Sequence, residues 1–385
     1  MVWWNTFRLK SNSPEVRRKA LEGLSAAGDA RALELFLAGL QDEDVQVRCA
    51  AVRGLEQIKD GQATAILVDA LRDQACEVRE AAATALGRLG DASVSVRLTR
   101  LLKDPAPAVR MAAAVALRNL GWKPSNREEQ ALFDVALGHT HAAAFAGQAA
   151  VKALVGELKH DTSFKRRAAA EALEDVDDPR ATQPLLAALC DGDPTVRVSA
   201  IHALSKNASG DVTTKLLECL RDSEACVRLA AADVLARRVD PALAPCFLAL
   251  LADCNFEVRL IAVQFLGRIR DPEIALALLP LLTDSDSDVR QAAAQALGTI
   301  GAPTAIEALV LTLTDEERAV RQAAETALGR IDPNWVYSEV AQRAVPQLEA
   351  ALNDQRGWVR SAAAQVLAKL HTPATDIAAA RFQPT

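Results

Sequence analysis

Aspartate and arginine recur in this chain at a constant separation, so the first chemistry to test is that of a carboxylate beside a guanidinium. Arg48, Arg79, Arg110, Arg197, Arg228, Arg259, Arg290, Arg321 and Arg360 are each preceded, six residues earlier, by Asp42, Asp73, Asp104, Asp191, Asp222, Asp253, Asp284, Asp315 and Asp354. Catalytic carboxylates work because their environments push their pKa values apart. Groups repeated in identical surroundings have no such difference. The columns therefore predict a structural ladder, in which aspartate accepts from the N–H groups of the next helix or pairs with a neighbouring arginine. One exposed pair contributes ~0–1 kcal/mol, while a network holds successive layers in register.

The other reactive side chains converge less. Of five histidines, His139 and His141 are the only close pair, and no cysteine or carboxylate stands near them at zinc-ligand spacing. There is no phosphate-binding glycine loop, no G-x-S-x-G and no credible Cys/His pair. The expectation is a non-enzyme with no catalytic residue, metal or cofactor. Seven cysteines, an odd number without a C-x-x-C, read as reduced thiols, with Cys190, Cys219 and Cys246 packed as small hydrophobes in apolar runs.

The elements that carry these columns follow from the repeat. Val-Arg recurs from Val16-Arg17 to Val109-Arg110 and from Val196-Arg197 to Val320-Arg321, always 31 residues apart, and returns at Val359-Arg360. Lys165-Arg166 fills the eleventh place, and leucine stands seven residues after every arginine. In the aspartate column Ser11 and His160 are the departures. Each unit reads as two helices: Asp178-Pro179 opens a first helix over 180–190, Asp191-Gly192 breaks it, and Asp193 caps a second over 194–205 with Pro194 at its first position. Second helices often close on glycine, as at Gly87, Gly267, Gly298 and Gly329. A 31-residue pair cannot bury its apolar face alone, so pairs must stack. The fold class is all-α, an α-α superhelix (a solenoid) of about twelve helix pairs.

The run Asp284–Gly298, with its aspartate, arginine, paired alanines and closing Leu-Gly, resembles the short HEAT repeats of the phycocyanobilin lyase family (PBS-lyase type) and of many bacterial scaffold proteins. The resemblance spans residues 11–370 and implies an armadillo-like helical fold. It admits bilin lyase or chromophore-chaperone activity as the alternative to a scaffold. The di-iron deoxyhypusine hydroxylases, also built of HEAT repeats, use His-Glu motifs, and no His-Glu dipeptide occurs here.

Two interruptions organise the chain. Arg110 and Arg166 are 56 residues apart, 25 beyond one period, with the surplus near Gly121-Trp122-Lys123-Pro124, an extra helix over 126–137 and a segment around His139–Phe145. Between Arg321 and Arg360 eight residues are added near 333–340. The predicted organisation is an N-terminal array 1–120, an irregular insertion 121–146, a C-terminal array 147–371 and a flexible tail 372–385. Trp3, Trp4 and Phe7 are read as an aromatic cap on the first layer.

Function is sought where the frame varies. Positions one, five and nine after each arginine form a stripe on the second helix that HEAT solenoids usually present on their concave face. It is mixed at Arg18, Glu22, Cys49, Arg53, Glu80 and Arg88. It turns apolar at Val198, Leu229 and Leu260, backed by His202, Asp233 and Gln264 and by Lys206, Arg237 and Arg268. An apolar ridge beside a charged row suits a protein or peptide partner. Net charge −6 and 4% aromatics make nucleic acid unlikely, so a nucleic-acid clamp like the HEAT-like DNA glycosylases ranks third. No stretch spans a membrane and no apolar leader is evident, which predicts a cytoplasmic monomer.

Overall fold

The computed structural model describes residues 6–27, 32–58, 61–207 and 209–371. About three quarters of the chain is helical and the described residues contain no strand, giving an α-α solenoid. Most layers pair a shorter first helix with a longer second one, termed here the outer and inner helix. Local chemistry sets the inner helix starts. The side chain of Asp193 accepts from the Thr195 N–H ahead of Pro194–Ala203, Asn255 accepts from Val258 ahead of Phe256–Ile269, and Asp286 accepts from Asp288 and Val289 ahead of Ser287–Ile300. Where 180–190 was expected as one helix, a 3-10 turn Pro179–Ala181 leads into Thr182–Ala188.

The chain divides into two compact units, Met1–Ala188 and Leu189–Thr385. In the first, inner helices Pro14–Ala27, Val45–Ile58, Cys76–Leu89 and Pro107–Asn119 precede Ser163–Val176. In the second they are Pro194–Ala203, Ala225–Ala236, Phe256–Ile269, Ser287–Ile300, Arg318–Ile331 and Gly357–His371. Their buried faces carry valine, alanine and leucine at helical spacing, for example Val289, Ala293 and Leu297, all fully buried.

Three expectations are revised, and one interruption takes a definite form. The segment 121–146 lies within the first compact unit and forms a shortened layer. Its outer helix is Arg127–Ala136, capped by Asn126, and its inner helix is only Thr140–Ala144. Of the glycines near the ends of inner helices, Gly87, Gly267 and Gly298 are packing residues rather than terminators. A Cβ on Gly87 would stand 2.6 Å from the Ala116 Cα, and one on Gly298 would stand 2.6 Å from the Ala327 Cα. The helices run on past them to Leu89 and Ile300. Cys190 is exposed at a turn, whereas Cys219 is buried and its thiol is pushed up to about 11 by desolvation. Phe7 is 71% exposed; Trp3, Trp4 and the tail 372–385 lie outside the described residues.

Candidate functional site

The aspartate and arginine columns meet across layers. Arg48 donates through Nε and Nη2 to Asp73 at 2.9 and 3.0 Å, while Nη1 donates to the Asp42 carbonyl at 2.8 Å. Arg17 holds Asp42 in the same bidentate way, as Arg79 holds Asp104, Arg228 holds Asp253, Arg259 holds Asp284 and Arg290 holds Asp315. Arg197 reaches Asp222 through Nη2 alone at 2.7 Å. Each aspartate also accepts from the N–H two residues on, at 2.9 Å for Asp44 on Asp42 and for Asp193 on Asp191. One guanidinium thereby fixes its own inter-helix loop and the loop of the next layer.

Electrostatics follow this geometry. Burial works to raise Asp42, Asp73, Asp222 and Asp284, yet the arginine and backbone hydrogen bonds outweigh it and their pKa values lie below the ordinary carboxylate range. At Asp253 the Arg228 bond is itself the largest influence, with the same result. These groups are consumed in structure and have no open position for a substrate.

The ladder fails at both interruptions. Twenty-five residues beyond Arg110 stands Val135, and Arg110 instead gives Nη2 to Glu157 at 2.6 Å. His160, in the aspartate column, keeps the loop bond by accepting the Thr162 N–H on Nδ1 at 3.1 Å. Burial first, then Lys165, holds its pKa below the usual histidine value. At the second break, Arg321 donates to the Asp315 and Glu316 carbonyls at 2.7 and 2.8 Å, and Asp354 pairs with Arg356 at 3.0 Å. Arg360 ends the column on the Asp354 carbonyl at 2.7 Å.

The exposed stripe is what remains for function. In the second unit Val198, Leu229 and Leu260 are all half-buried on three successive inner helices, with His202 and Asp233 half-buried and Gln264 exposed behind them. The basic row is less free than its sequence suggests. Arg237 pairs with Asp233 at 2.6 Å, and Arg268 donates to the Ala236 carbonyl at 2.6 Å.

The first unit holds a deeper feature that the sequence reading passed over. An open cleft of about 710 Å³ has a floor of Pro107, Ala108, Met111, Ala112 and Val115. Glu80, Thr84 and Arg88 form one wall, and His160, Asp161 and Lys165 form the other. Met111 is 43% exposed. Met111 and Val115 lie one 31-residue step beyond Glu80 and Thr84, so the stripe that named Glu80 could have found them. The wall of His160, Asp161 and Lys165 could not have been found this way, because the shortened layer brings it there. Among the described residues no three His, Cys, Asp or Glu side chains converge as metal ligands, and no helix is long and apolar enough to cross a membrane.

Helix pairs joined by a repeating Asp–Arg ladder define a helical-repeat protein. The family model for HEAT repeats matches residues 7–75, 65–154, 151–236, 213–279, 244–329 and 274–368. The chain belongs to the HEAT-repeat family. No curated protein matches it. Among solved structures, an engineered protein is 23% identical, with 96% of this chain and 99% of that chain covered and a TM-score of 0.33. Escherichia coli YibA is 18% identical, with 84% of this chain and 97% of that chain covered and a TM-score of 0.34. Likeness at that level says nothing of a partner.

Proposed function

We propose that this protein is a non-enzymatic scaffold that holds a protein or peptide on the exposed stripe of its inner helices. The observation that carries the reading is the division of labour along those helices. One face is locked into the core and ladder, while the stripe face varies from layer to layer and keeps large apolar side chains accessible. Met111 and Val115 floor a cleft in the first unit, and Val198, Leu229 and Leu260 form a line in the second. Apolar anchors with a polar rim are the usual content of a binding hot spot. The engagement of Arg237, Arg268 and Arg88, the last with Glu56 at 3.3 Å, speaks against a nucleic-acid clamp.

The test is affinity capture from native lysate with wild type, with Met111→Asp and with the triple variant Val198→Asp/Leu229→Asp/Leu260→Asp, each first shown to have unchanged helicity and melting. A protein held by wild type and lost from one variant supports the reading and names the surface. Identical recoveries with all three would sink it. A second reading, carriage of a linear tetrapyrrole, draws on the cleft alone: its volume lies within the ~300–1,000 Å³ of small-molecule sites, and Lys165 would face a propionate. Added bilin would then shift its visible absorbance in the presence of wild type and not of Met111→Asp.

A further inference from the structure

The interrupted rung at Arg110 leaves a second, smaller cavity on the other side of the same layer. Its volume is about 180 Å³, and its apolar lining comes from Leu102, Leu132, Val135, Ala149 and Ala153. Its polar lining is Lys103, Asp104, Arg110, Glu128 and Lys152. Four of these five charges are matched: Asp104 by Arg79 at 2.8 Å, Lys103 and Glu128 by each other at 2.8 Å and Arg110 by Glu157 at 2.6 Å. Lys152 is exposed and, among the described residues, has no carboxylate within ion-pair distance, although it adds to the pull of Lys103 on Glu128, so the cavity is left with one positive charge. The Arg110 fork is also part-used. Its Nη1 and Nη2 are bonded, while its Nε–H, which grips an aspartate oxygen in six other rungs, donates to nothing among the described residues.

We propose that this cavity binds a small monocarboxylate with an apolar body, whose carboxylate is received by Lys152 and the Arg110 Nε–H in place of the missing rung aspartate. Each part of the ligand follows from an observation. The single unmatched cation specifies a monoanion, and a guanidinium edge prefers a planar carboxylate. The lining of leucine, valine and alanine calls for a hydrocarbon body. Apolar cavities of about 150 Å³ hold a benzene ring, so an acid of benzoate size fits and a fatty acid does not. The site does not depend on the protein-binding reading, because it lies between outer helices Arg127–Ala136 and Val151–Glu157, away from the inner-helix stripe.

The experiment is a calorimetric titration of the full chain with benzoate, with benzamide as the uncharged control of equal shape. Wild type is expected to bind benzoate about tenfold or more tightly than benzamide. Lys152→Gln, a surface change that leaves the fold intact, is expected to abolish that preference. Val135→Asp supplies an internal carboxylate beside Arg110 and is expected to displace benzoate altogether. Equal affinity for the two ligands, undiminished benzoate binding by Lys152→Gln, or no heat up to about 10 mM benzoate would each overturn the proposal.

Discussion

The Asp284 rung offers the most direct measurement of what the ladder contributes. Asp284 accepts from Arg259 Nε and Nη2 at 2.7 and 2.6 Å and from the Asp286 N–H at 2.9 Å, with the two side chains only 8% and 12% exposed. Asp284→Ala removes all three bonds and leaves Arg259 partly buried with only its loop carbonyls. Removing one partner of a buried pair costs about 3–5 kcal/mol; this rung lies at the surface edge of the core, so about 3 kcal/mol is expected. Arg259→Met retains the stem's packing and leaves Asp284 its backbone N–H, so its loss should be smaller, about 2 kcal/mol. Because both singles forfeit the same contact, the double variant should cost well under their sum. The expected coupling is about 1.5 kcal/mol or more. Urea unfolding followed by circular dichroism on the four proteins measures it, with equal m-values required of all. A coupling below about 0.5 kcal/mol would place the rung among ordinary surface pairs and refute its role as the fastener between layers.

Gly298 and Gly329 occupy the same column with opposite surroundings. A Cβ at Gly298 would meet the Ala327 backbone at 2.6 Å, whereas one at Gly329 meets nothing within 4 Å. Gly298→Ala should therefore destabilise by about 1–3 kcal/mol, and Gly329→Ala should stabilise by up to about 1 kcal/mol, read as melting shifts of opposite sign. The ladder carboxyls have depressed folded pKa values, so their stabilisation is present above the unfolded aspartate value of about 3.9 and lost as pH falls through the folded ones. Thermal melts should fall steeply below about pH 4 as these carboxylates protonate, with a shallower fall in Asp253→Asn/Asp284→Asn. His160 is likewise depressed when folded, so its neutral form stabilises above the unfolded histidine value of about 6.5 and that contribution fades as pH falls. Wild type should therefore show a small loss of stability between about pH 6.5 and 5, and His160→Asn, which keeps an acceptor for the Thr162 N–H, should remove it; an unchanged profile would assign the loss elsewhere.

The sequence by itself determined the architecture and its period. Helical spacing of apolar residues, the cap at Asp193 and a column repeated every 31 residues are local signals, and local signals dictate a helix pair and its stacking wherever they recur. It also located both breaks, because a break in register is visible as a change of spacing. What the breaks produce was decided only by tertiary structure. The inner helix of the first break stops at five residues, Thr140–Ala144. The loop at His160–Lys165 consequently stands against Met111, and Arg110 turns to Glu157, 47 residues away. The glycine column shows the same limit. Gly298 and Gly329 share the same Ala-Leu-Gly-x-Ile setting, and the position of the following layer makes one a contact and the other open space. Spacing along the chain specifies which residues share a helix face, whereas a cavity depends on where a neighbouring layer stops, and no period records that.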